Sequence, residues 1–173
     1  MRNSPIQIIA RIALCAALLA VIAPFSLPLT GGIPISLATF CIMLMALLFG
    51  ARDATLATLV YLVLGAVGLP VFSGARGGIA VLMGATGGFL VGYLLLAFFC
   101  GILYKHSWIW QLLMVLIGNV LMYVFGTFWY AYVTGVTPGA AMSACVLPFL
   151  LGDAIKIGAA FFFRQAISVR RLL

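Results

Sequence analysis

The chain has 173 residues, 66% of them hydrophobic and 6% charged, against roughly 25% charged in soluble domains, which excludes an ordinary water-soluble globular domain. At about 20 apolar residues per membrane crossing, six crossings consume about 120 residues and leave about 53 for connections, so the length caps the architecture at one small helical bundle. The net charge of +7, nine Lys and Arg against Asp53 and Asp153, reads as membrane orientation and not as nucleic-acid binding, because positive residues gather in cytoplasmic loops whatever the function.

Met1 to Ala23 joins a basic start to an apolar stretch, the outline of a signal peptide. Arg11 interrupts the run and Pro24 follows the small residues where cleavage would fall, so this segment is expected to be a retained first helix. Breaks at 28–34, 50–53, 70–78, 105–107 and 134–148 set six expected spans, at roughly 6–26, 35–49, 54–69, 84–104, 108–133 and 148–167. No repeat, low-complexity tract or linker divides the chain, and residues 1–173 are expected to form a single transmembrane domain, an all-α bundle of six helices.

An even number of spans puts both termini on one side. That side carries Arg2, Arg11, Arg52, Lys105, Arg164, Arg170 and Arg171, with Arg11 expected to snorkel to the surface. Arg76 is the only basic residue facing the other side, and Lys156 lies inside the last span. By the positive-inside rule both termini are cytoplasmic.

Few residue types capable of chemistry remain. Cys15, Cys41, Cys100 and Cys145 each fall in or beside an apolar run without a C-x-x-C pair and read as small core residues. His106, next to Lys105 in a polar break, reads as a solvated loop residue. Two acids and one histidine are too few for a carboxylate-bridged metal site or a histidine-based triad. No phosphate-binding G-x-x-x-x-G-K-[ST] loop is present, so the chain is not itself a P-loop ATPase.

Asp153 and Lys156 carry the strongest signal. An ionisable side chain at bilayer depth costs about 3 kcal/mol on insertion scales, and a spacing of three puts the two on one helical face, about 7 and 12 Å below Pro148. They form either a plain intrahelical ion pair or a donor and acceptor pair facing a ligand. Arg76 sits in the glycine-containing loop Phe72 to Gly78, on the side where the second, fourth and sixth spans begin and their positive dipole ends point; an anion suits that arrangement. Asn119 and Tyr123 share a face of the fifth span, continued outward by Thr127 and Tyr130. Gly84, Gly88 and Gly92 form an expected packing stripe on the fourth span, and Ala13, Ala17 and Ala20, adjoined by Ala16, form a small-residue strip on the first. Phe72, Tyr93, Trp129, Tyr130 and Phe149 are outer-half aromatics, as suited to the interfacial belt or the core as to ligand contact.

At these residues the chain resembles the BioY family, the biotin-specific S components of energy-coupling factor (ECF) vitamin transporters. The resemblance runs from Gly32-Ile33-Pro34-Ile35-Ser36-Leu37 to Lys156 and is most specific at Tyr61 to Phe72, at Gly84-Ala85-Thr86-Gly87-Gly88-Phe89, at Gly118-Asn119 with Tyr123, Gly126 and Trp129, and at Pro148-Phe149 with Gly152-Asp153-x-x-Lys156. It implies a multi-pass protein of a bacterial or archaeal plasma membrane that binds biotin from outside. It also implies association with a transmembrane coupling subunit and two cytoplasmic ABC-type ATPases, the only users of ATP, and no cofactor of its own. By the resemblance Asn119, Asp153 and Lys156 contact the polar groups of biotin, the Arg76 loop covers the pocket, and the Ala13, Ala17, Ala20 strip docks on the coupling subunit. Tyr123, Phe72, Thr86 and Phe149 complete the expected site. Three positions depart from the family pattern: Ala38 stands where Gln is usual, Ala85 for Pro and Phe89 for Tyr. The competing readings are a stand-alone biotin carrier with Asp153 as proton site, an S component for another small anionic vitamin, and an intramembrane enzyme using Asp153 and Lys156 as acid and base.

Overall fold

Ser4 starts the first helix with a reciprocal cap: its hydroxyl accepts from the Gln7 amide at 3.3 Å while its own amide donates to Gln7 Oε1 at 3.0 Å. Pro5 then occupies the first helical position, where a missing N–H costs nothing. The structure, a computed structural model, describes residues 4–27 and 35–170. Helix α1 spans Pro5–Ile22, followed by α2 (Ala38–Phe49), α3 (Ala51–Ala66), α4 (Ile79–Met83), α5 (Gly87–Ile102), α6 (Trp108–Thr134), α7 (Pro138–Cys145) and α8 (Leu147–Arg170). A two-residue antiparallel pair, β1 (Ser26–Leu27) with β2 (Ile35–Ser36), joins the chain ahead of α2. Arg2, Arg171 and the Gly32 to Pro34 start of the family-like block lie outside the described residues.

The expected spans correspond to α1, α2, α3, α5, α6 and α8, with differences at their edges. Ile35 and Ser36 pair as β2 instead of opening the second span, and the third runs from Ala51 to Ala66 because Gly50, at φ 88°, takes a turn that an L side chain resists. The fourth begins at Gly87, so Gly84 is the C-cap of the short helix α4 and does not belong to the expected stripe. The 134–148 break holds α7, which meets α8 at a 41° bend. Among the described residues, α1 and α6 are by themselves long and apolar enough to cross a membrane, and α7 with α8 qualifies as a bent third. Helix α2, with 12 residues, is about 18 Å long against a hydrocarbon core of about 30 Å.

Helices α5 and α6 make the most extensive contact in the bundle. Glycine makes it close: a Cβ on Gly88 would lie 2.2 Å from Trp129 Cβ, and one on Gly92 would lie 3.1 Å from Met122 Cγ. Helix α2 sits centrally, packed on α1, α3, α5 and α8, and its Ile42, Met43 and Leu47 are fully buried. All four cysteines are buried and free, as expected of core residues, and His106 is exposed. Arg11 reaches the 50–53 turn, pairs with Asp53 at 3.2 Å and lies 5.3 Å from the Phe49 ring centroid, tying α1 to the start of α3.

Candidate binding site

The first turns of α8 bring Phe149, Asp153 and Lys156 inward, leaving Asp153 5% and Lys156 8% exposed. Lys156 Nζ lies 2.9 Å from Asp153 Oδ1, so each charge is offset by its neighbour one turn away. Two further helices hold the pair. From α2, Thr39 accepts a hydrogen bond from Lys156 Nζ at 3.0 Å; from α6, the Tyr123 hydroxyl donates to Asp153 Oδ2. An ammonium has three donors and a carboxylate about four acceptor positions. These bonds therefore leave donor and acceptor capacity on one small surface.

That surface faces a narrow cavity of about 40 Å³, lined by Ser36, Thr39, Phe89, Tyr93, Met122, Tyr123, Cys145, Phe149, Asp153 and Lys156. A second cavity of about 30 Å³ adjoins it, lined by Phe72, Ser73, Arg76, Val81, Thr86, Phe89, Leu90 and Tyr93. Each has room for about two to four waters, at about 10 to 15 Å³ apiece. Phe89 and Tyr93 belong to both, so two aromatic rings separate an ion pair at one end from Arg76 at the other.

The Arg76 loop is tightly folded. Phe72 and Arg76 exchange backbone hydrogen bonds of 2.9 and 3.3 Å, Ala75 sits at a positive φ of 56°, and the Gly74 amide donates to the Pro24 carbonyl at 3.1 Å. Gly77 is required by close approach, since a Cβ there would lie 2.2 Å from the Leu69 carbonyl oxygen. The Arg76 side chain is exposed at the mouth of the second cavity, with Nε donating to the Ser73 carbonyl at 3.2 Å. Phe72, by contrast, is 1% exposed and packs edge-on against Tyr61.

Seven of the eight expected binding residues thus line the two cavities: Asp153, Lys156, Tyr123 and Phe149 the first, Arg76, Phe72 and Thr86 the second. Asn119 lines neither. It lies one turn deeper than Tyr123, its amide nitrogen donating to the Val115 carbonyl at 2.8 Å and contacting Met43 Sδ at 3.6 Å, and its buried oxygen makes no hydrogen bond among the described residues. Sequence reasoning passed over Thr39, Ser36, Met122 and Cys145. Thr39 had a signal, being the one hydroxyl in an otherwise apolar α2. The alanine strip divides: Ala13 and Ala17 are exposed, whereas Ala20 is half-buried against the core and Ala16 is buried.

Residues 1–172 match the model of the BioY family. The chain belongs to the BioY family. BioY membership assigns a transport role and not an enzymatic one. Among BioY relatives, the chain is 37% identical over 163 residues to "Biotin transporter BioY2" of Lactococcus lactis, covering 90% of this chain and 87% of the relative. It is 40% identical over 144 residues to "Biotin transporter BioY" of Thermotoga maritima, covering 82% and 83% respectively. The fold is similar to the crystal structure described as the S-component for biotin from an ECF-type ABC transporter, with a TM-score of 0.86, 25% identity, and 97% of this chain and 95% of that one covered.

Proposed function

We propose that this BioY-family chain is the biotin-binding S component of an ATP-driven ECF uptake transporter. Its six longer helices cross the plasma membrane as one domain with both termini cytoplasmic; α2 reaches across with its flanking segments. Biotin enters from outside and is passed on through a transmembrane coupling subunit and two cytoplasmic ABC-type ATPases, with ATP spent only by those partners. The observation that carries this reading is the buried Asp153–Lys156 pair facing a cavity, in a family whose relatives are named biotin transporters.

The chemistry of the ligand fits the order of the walls. Biotin's ureido ring offers two N–H donors and a carbonyl acceptor, which Asp153 and Lys156 complement. Its carboxylate lies at the far end of an alkyl chain, as Arg76 lies beyond Phe89 and Tyr93. Apolar walls with a few convergent polar groups are the usual build of such sites. Phe89, one of the departures from the family pattern, brings no hydroxyl to this shared wall. The cavities are narrow, so side chains in the Arg76 loop and around Phe89 shift to admit the bicyclic head.

The test is direct. The protein purified in detergent releases biotin on denaturation and binds added biotin saturably; recovery of none, together with no saturable binding, refutes the reading. Uptake in a host lacking every other transporter component separates the ATP-driven subunit from a stand-alone carrier, since the former accumulates no biotin there.

A further inference from the structure

Charge pairing leaves a surplus at one end of the bundle. The sequence has two carboxylate side chains in all, and both are engaged: Asp53 with Arg11 at 3.2 Å and Asp153 with Lys156 at 2.9 Å. Arg164 and Lys105 therefore have no side-chain carboxylate left in the chain to meet. They converge on Tyr104 in the α5–α6 connection. Arg164 Nη2 donates to the Tyr104 carbonyl at 3.3 Å, and Lys105 Nζ lies 5.4 Å from the Tyr104 ring centroid. This bond holds Arg164 level with the polar connection that ends at Ser107, the N-cap of α6.

From that level an open groove of about 530 Å³ runs between α6 and α8, with Trp108 and Leu112 on one wall and Gly158 and Phe161 on the other, and with Arg164 among the residues lining it. The two helices do not pack closely. At Gly158 a Cβ would meet no atom within 4 Å. A tryptophan at the helix end beside a polar connection, a cation with no side-chain carboxylate to meet and an apolar channel behind them form the complement of an amphiphile with an anionic head.

We propose that this groove binds an anionic phospholipid, its phosphate on Arg164 with Lys105 beside it and one acyl chain along Leu112, Gly158 and Phe161. An arginine fork suits phosphate oxygens, and charge complementarity selects an anionic headgroup over a zwitterionic one. The site is separate from the Asp153–Lys156 cavity and shares no lining residue with it.

Native mass spectrometry of the intact protein tests the assignment, with phosphatidylglycerol, phosphatidylcholine of the same chains, and inorganic phosphate as probes. Wild type is expected to retain one phosphatidylglycerol about tenfold more tightly than phosphatidylcholine, and Arg164→Gln to abolish that preference. Gly158→Leu, which fills the groove from an open position, is expected to weaken both lipids by a similar factor. Arg164→Lys, keeping the charge, retains the preference and serves if Arg164→Gln fails to fold. Equal retention of the two lipids by wild type, or phosphatidylglycerol binding undiminished in Gly158→Leu, overturns the proposal. So does displacement of phosphatidylglycerol by inorganic phosphate at matching concentration, which marks a bare anion site, or a dimer that Gly158→Leu dissociates, which marks a groove filled by a second copy.

Discussion

Tyr123 of α6 donates its hydroxyl hydrogen to Asp153 of α8 and so bridges two helices that pack on each other only sparsely. The second oxygen of the same carboxylate holds Lys156, which in turn holds Thr39 of α2. One carboxylate thus joins three helices, and perturbing it should change stability and ligand binding in separable ways.

Asp153→Asn leaves Lys156 as a buried ammonium without its counter-charge. Removing one partner of a buried pair costs about 3 to 5 kcal/mol, whereas replacing both by apolar residues is often neutral. Thermal unfolding in detergent should therefore show a large loss for Asp153→Asn and a much smaller one for Asp153→Leu combined with Lys156→Met. Biotin binding should be lost in both, and retention of tight binding by the double variant would exclude the pair as ligand contacts.

Thr39→Val removes the oxygen that orients Lys156 while nearly preserving shape. A hydrogen bond to a charged group contributes about 1.5 to 3 kcal/mol, so biotin affinity measured by titration calorimetry should fall about tenfold or more. Thr39→Ser restores the oxygen and should restore most of the affinity. Equal losses in both variants would assign Thr39 to packing alone.

Arg76 at the mouth of the second cavity is expected to read the carboxylate of biotin. The methyl ester of biotin should bind wild type more weakly than biotin does, and Arg76→Ala should remove most of that difference. Arg11→Ala is the control: its partner is Asp53, in the first turn of α3, and it should lower stability, because it leaves a mostly buried carboxylate unpaired, with biotin affinity unchanged. An ester penalty that survives in Arg76→Ala would move carboxylate recognition elsewhere.

Gly88 and Gly158 make a matched pair of helical glycines. Gly88→Ala forces a methyl group against Trp129 Cβ, at 2.2 Å in the undisturbed structure, and should destabilise the α5–α6 contact by about 1 to 3 kcal/mol. Gly158→Ala meets nothing within 4 Å and should be neutral or stabilising, because alanine is the better helix former by about 1 kcal/mol. Unfolding temperatures of the two variants check the contrast.

Composition and apolar run length were enough to read a helical membrane bundle, and the scarcity of charge singled out Asp153 and Lys156, because an ionisable group inside an apolar span has few bland explanations, and Arg76, because its loop held the one basic residue expected on the outer side. Spacing of three on a helix put Asp153 beside Lys156 without any knowledge of the fold. What spacing does not carry is which way a helix faces. Asn119 and Tyr123 share a helical face, yet one turn of depth sends Asn119 towards Met43 and Tyr123 to the cavity. Thr39 meets Lys156 across 117 residues of sequence, a contact made only when α2 packs on α8. Gly84 fits a helical stripe by periodicity, but the chain breaks after Met83 and re-enters at Gly87, where a Cβ on Gly87 would lie 1.7 Å from the Leu82 carbonyl oxygen. Local patterning is a property of neighbouring residues and was legible at once; the two cavities, and the groove between α6 and α8, exist only because distant helices pack at particular distances.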